Sequence, residues 1–207
     1  MDILITPAHF FSELCKKEVS LKYPVLIIAL ISIISGISAY IITGKMMIMM
    51  PSGMEGTATV VSLFAFAAAL IGTFIYWIIW VVAILVMIHI LKGEHTFSRL
   101  LEITGYGFIP QILGGVISTG IVITSLPDMV IPATSSAVEM QAAIQAISTS
   151  SPMLAASIIG LIFTFWSAYI IVFGVKEASK LELKKAAICT AVPLAIFVLI
   201  NLSSFLM

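Results

Sequence analysis

The stretch LKGEHTFSRLLEITGYGFIP, Leu91 to Pro110, decides how this chain is read. The run before it, Val60 to Leu91, has no acid, Lys or Arg, and the run after it is apolar and rich in glycine. Lys92, Glu94 and Arg99 therefore mark an elbow where a membrane hairpin turns in water.

The composition agrees with that reading. Hydrophobic residues are 61% of the chain and charged ones 10%, with a mean hydropathy of +1.20, whereas soluble domains carry about 25% charged residues. Residues 1–207 read as a single all-α integral membrane domain, because most of the length is consumed by spans of about 20 residues each. The formal charge is zero, so no basic field points to nucleic acid. Cys15 and Cys189 fit neither a disulfide framework nor a metal-site spacing. The first apolar run is as long as a full span and ends at Thr43, Gly44 and Lys45 without a small-x-small cleavage pattern, so it reads as a retained helix and not as a signal peptide.

Five runs qualify as spans, at about 24–43, 60–91, 106–126, 153–175 and 186–207. The second would make about 48 Å of helix against a core of about 30 Å, so it must tilt, kink near Gly72 or project. Residues 1–23 form a lead-in. Thr6 can cap a helix that has Pro7 at its first position, and Phe10, Phe11, Leu14 and Cys15 share one apolar stripe, with Glu13 placed to pair with Lys17. Such a stripe suits a short interfacial helix in the headgroup plane.

Basic residues set the expected topology. Lys16, Lys17 and Lys22 precede the first run, Lys92 and Arg99 lie in the elbow, and Lys176, Lys180, Lys184 and Lys185 lie between the fourth and fifth runs. Only Lys45 falls elsewhere. The N-terminus is expected in the cytoplasm and the C-terminus outside. Of the external segments, 127–152 holds an amphipathic helix with a Ser136 and Glu139 capping box and Ala137, Met140, Ile144 and Ile147 on one face.

Chemistry is sparse. Polar groups within spans are limited to Gln111, Asn201, His89 and scattered Ser and Thr, with no ionised residue at mid-span, which speaks against a proton-coupled carrier. His89, Glu94, His95 and Glu102 are the sole candidate ligand set, and they lack the spacing that holds zinc on one helical turn. No serine-nucleophile elbow or phosphate loop occurs, so neither a cofactor nor an enzymatic reaction is expected. Gly105, Gly107, Gly114, Gly115 and Gly120 read as small residues that let helices approach closely.

The elbow run Thr96, Phe97, Ser98, Arg99, Leu100, Leu101, followed by Gly105, Tyr106, Gly107, Phe108, Ile109, Pro110, resembles the second half of the Yip domain. The opening Pro7, Phe10, Phe11 is similar to that domain's start. Trp166 through Phe173, Gly174, Val175, Lys176, Glu177 to Lys185 and Ala186 is similar to its last cytoplasmic turn. The resemblance implies a five-span membrane protein with a cytoplasmic N-terminus. Eukaryotic members of this Ypt/Rab-interacting family bind GTPases and one another in vesicle traffic. This chain lacks their long acidic N-terminal region and the Asp, Leu, Tyr/Trp, Gly, Pro motif before the first span, which weighs against a GTPase partner and resembles the short prokaryotic branch. The expected function is a non-enzymatic adaptor or membrane organiser of the cytoplasmic membrane, partnered by the bilayer, a second copy or another membrane protein. Arg99, Gly105, Tyr106, Pro110, Lys176, Glu177 and Lys180 are its interaction or fold-shaping candidates. The alternative is a channel or transporter for an uncharged or lipidic substrate, along a path lined by the glycines of the third run.

Overall fold

The computed structural model describes residues 2–47, 55–94, 96–125 and 137–206, and the elements named below are those among them. In chain order they are α1 (Asp2–Ile5), α2 (Pro7–Leu14), α3 (Lys22–Met47), α4 (Glu55–Ile90), α5 (Phe97–Gly107), α6 (Ile109–Ser125), α7 (Ala137–Ser148), α8 (Ser151–Ser179) and α9 (Leu183–Leu206). The described residues are all-α. Segments Lys22–Lys45 and Thr57–Ile90 and the whole of α8 are each long and apolar enough to cross a membrane, and the α5–α6 pair adds a further candidate. α9 occupies the fifth apolar run, with Pro193 inside it. α4 runs unbroken through Gly72.

The third run departs from a single straight span. Its helix begins at Phe97, inside the expected elbow, and breaks at Phe108 with a bend of 43°. Pro110 explains the break, because it lacks the N–H that would bond Tyr106 O and its ring crowds that carbonyl. The Phe108 N–H still reaches Thr104 O (3.0 Å), and the Gln111 N–H bonds Phe108 O (2.9 Å) in a tighter turn. The link between α4 and α5 therefore shrinks to residues 91–96. There the chain leaves α4 through Lys92 in a left-handed conformation (φ 58°), with the Gly93 N–H bonded to Ile88 O (3.0 Å), a helix-ending arrangement that glycine more often occupies.

Five helices form a closed wall. α3 packs on α4, α4 on α9, α9 on α8, α8 on α6 and α6 back on α3. Ser38 and Thr119 join α3 to α6 at 2.6 Å, and Ser118 Oγ donates to Ala156 O of α8 (3.0 Å). α5 touches α3, α4 and α8, so at one end it fills the middle of the wall. The core gathers around it, with Trp77, Trp80, Val81, Ile84 and Ile88 of α4 meeting Leu100, Phe108, Ile171, Val175 and Cys189. The Trp77 Nε1–H donates to Thr104 Oγ1 (2.9 Å), whose own proton goes to Leu100 O (2.7 Å).

At Phe108 the chain turns out of the middle to become wall. Beyond that point lies a partly open cavity of about 390 Å³, lined by α3 (Ile28, Ile31, Ser35), α4 (Ala69, Gly72, Thr73, Tyr76), Phe108, Gln111, Thr164 and Phe197, with Gly72 exposed at its rim. Its floor is aromatic. Phe108 stacks on Tyr76 with centroids 6.1 Å apart, Trp80 meets Phe108 edge-on at 5.8 Å, and Phe197 lies 5.6 Å from Tyr76.

The short N-terminal helix forms as expected, with Thr6 at its cap and Pro7 next, but its apolar stripe faces protein. Phe11 is fully buried, clustered with Ile3, Ile103 and Ile170. Glu13 pairs with Lys16 at 2.6 Å and not with Lys17. The amphipathic helix expected within 127–152 forms as α7 with Ile147 buried, while Ser136 lies outside the described residues, as does the side chain of Glu139.

Candidate functional site

The three sequence pieces that carry the resemblance meet at one end of the bundle. Three glycines make this possible by letting backbone and side chains approach. A Cβ on Gly105 would stand 2.6 Å from Pro24 Cβ and 3.0 Å from its Cα, which brings α5 against α3. A Cβ on Gly107 would strike Ile171, and one on Gly174 would strike Ile103 and come within 3.2 Å of the Phe11 ring. Tyr106 closes the seam to α2, edge-on to Phe10 at 5.3 Å. Pro110 is buried at the start of α6. These residues shape the fold of this end.

Arg99 binds inward. Its guanidinium donates to Leu14 O (3.1 Å), to Lys17 O and to Glu102 Oε2, and the other oxygen of that carboxylate accepts the Ser20 N–H at 3.0 Å. The Arg99 side chain is 15% exposed and that of Glu102 only 1%. The pair thus clips the segment between α2 and α3 onto α5. The spacing of three between Arg99 and Glu102 was visible in sequence. Their main-chain partners were not, because every residue offers the same carbonyl and N–H.

Lys176, Glu177 and Lys180 sit alongside. Lys180 Nζ meets Glu94 Oε2 at 2.6 Å, the Glu94 N–H bonds Ser179 O (3.1 Å), and Lys176 pairs with Glu177 at 2.8 Å. Lys180 ends α8 in a left-handed conformation (φ 52°), as Lys92 does after α4. Arg99, Glu177, Lys180, Glu94, Thr96, Cys15, Val19 and Ala178 enclose a mixed-charge pocket of about 400 Å³. Burial pushes the Cys15 thiol above its ordinary range, which disfavours the thiolate. Lys180 and Glu94 remain 71% and 67% exposed.

The candidate ligand set disperses. Glu94 pairs on the surface, Glu102 is held by Arg99, and His95 lies outside the described residues. Among the described residues no three His, Cys, Asp or Glu side chains converge on a metal-sized site. The glycines of the third run do not line the cavity. A Cβ on Gly114 would meet Phe163 at 2.8 Å, and one on Gly115 would meet Ile34 at 3.1 Å, so they serve the α6–α8 and α6–α3 seams. Gln111 does face the cavity, with Thr164 as a partner that no spacing signalled.

A closed wall of long apolar helices with charge gathered at one end defines an integral membrane protein. The Yip1 domain pattern matches residues 1–204, and the chain belongs to that family. An uncharacterized protein of Methanocaldococcus jannaschii is 36% identical over 118 residues, which is 57% of this chain and 84% of that protein. No solved structure matches the chain.

Proposed function

We propose that this Yip1-domain protein is a non-enzymatic adaptor or membrane organiser of the cytoplasmic membrane. In this reading its basic end faces the cytoplasm and contacts a second copy or another membrane protein. The observation that carries it is the joining of three separate segments into one surface by the Arg99, Glu94 and Lys180 contacts, with Lys180 and Glu94 still exposed. A surface held this firmly loses little conformational entropy when a partner docks. Photo-crosslinking groups placed at Lys180 and Glu94 should each capture the same discrete adduct in native membranes, and a group at Val138 should not. A monomeric, adduct-free chain from all three positions overturns the reading.

A path for an uncharged or lipidic substrate is the second reading, supported by the central cavity. Lipid scrambling or solute flux by the reconstituted chain tests it, and no transport across a broad panel counts against it.

A further inference from the structure

We propose that the central cavity binds an uncharged, single-chain lipid whose polar end both donates and accepts hydrogen bonds, of the chemical class of a monoacylglycerol. The site requires neither the adaptor reading nor transport. Its volume of about 390 Å³ falls in the range of small-molecule sites, about 300–1,000 Å³, which combine apolar walls with a few convergent polar groups. It equals roughly thirteen water volumes of 30 Å³ each, room for a glycerol head with an acyl chain of about eight carbons and too little for a two-chain phospholipid.

The polar groups select the ligand's chemistry. Thr164 gives its hydroxyl proton to Gly160 O (2.8 Å), and Thr73 gives its proton to Ala69 O (2.8 Å). Both oxygens can then only accept. Because Thr164 cannot donate, the Gln111 amide must turn its N–H toward it (2.9 Å), which leaves the Gln111 carbonyl oxygen as a further acceptor. The cavity thus offers these three acceptors together with two donors, the second Gln111 N–H and the Ser35 hydroxyl, and its matching ligand both donates and accepts, as a glycerol hydroxyl does. No residue of the lining carries a charge at neutral pH. An ionised headgroup would find no counter-charge there, which costs several kcal/mol within a bilayer. The stacked Phe108 and Tyr76 rings at the floor supply the apolar contact for a chain.

Gly72 provides a clean test. It lines the cavity, and a Cβ added to it meets nothing within 4 Å, so Gly72→Leu should fill the site while gaining about 1 kcal/mol of helix propensity. The probe is a monoacylglycerol with a diazirine in its chain, irradiated with the full protein in nanodiscs and mapped by mass spectrometry. Adducts should fall on Ala69, Thr73, Tyr76, Phe108 and Gln111. Excess monooctanoylglycerol should compete them away and ionised octanoate should not. Gly72→Leu should cut them about tenfold by steric exclusion, with its thermal transition kept or raised. Should that variant fail to fold, Gln111→Leu must abolish the preference for monooctanoylglycerol over an alkane of equal length. Adducts only on outward residues such as Ile71 and Ile75, labelling unaffected by Gly72→Leu, or no adduct on any lining residue overturns the proposal.

Discussion

At Arg99 one guanidinium satisfies two main-chain carbonyls and a carboxylate that is almost fully buried. Truncation to alanine would leave Glu102 as a buried charge without a counter-ion, and breaking such a pair costs about 3–5 kcal/mol. Arg99→Ala should therefore lower the thermal transition of the detergent-purified chain sharply. Adding Glu102→Gln should restore part of the loss, because the neutral amide needs no cation and still accepts from the Ser20 N–H. An unchanged transition in the single variant would show that the clip carries no stability. Sequence reading placed Arg99 on an open, watery turn, since a lone arginine between apolar runs normally marks the membrane surface. What it could not register was burial supplied by a segment some eighty residues earlier in the chain.

The element with the largest discrepancy between sequence and structure is α5. Its helical spacing is plain in retrospect, since Leu100, Ile103, Thr104 and Gly107 lie on one face and all are buried. The charges of Arg99 and Glu102 masked the pattern by suggesting water on every side. The five apolar runs, the N-terminal helix and α7 were legible because each is a long or periodic local signal. The break at Pro110 was half legible, in that the residue was expected to shape the third helix but not to divide it. Fit within the bundle makes Gly105 and Gly120 a telling pair. A leucine at Gly105 must displace Pro24 backbone, and overpacking of this kind costs about 1–3 kcal/mol or more. At Gly120 a Cβ meets nothing within 4 Å, so Gly120→Leu should be neutral or stabilising by about 1 kcal/mol. Comparing the two by thermal unfolding and by yield of monodisperse protein checks the seam. Equal behaviour would mean that α5 does not need its close contact with α3.

Across the whole molecule the basic residues gather where α3 begins, α4 ends, α5 begins, α8 ends and α9 begins, and Lys45 lies in the last turn of α3 at the far end. If the positive-inside rule governs insertion, a cysteine replacing Lys180 should resist a membrane-impermeant maleimide in intact cells and react after permeabilisation. A cysteine replacing Val138, which is 79% exposed on α7, should react in intact cells. The reverse pattern would invert the proposed topology. The wall itself was not legible, because pairings such as α4 with α9 join helices far apart in sequence and leave no local trace. One further consequence comes from the manner in which Arg99 holds the N-terminal segment. It grips peptide carbonyls at Leu14 and Lys17, and a carbonyl is the same whatever side chain it accompanies. Across evolutionary time position 17 should drift almost freely and position 14 among apolar side chains that keep its packing, while the path of the chain persists, and only replacement at Arg99 or Glu102, or a proline that reroutes the backbone, should release it.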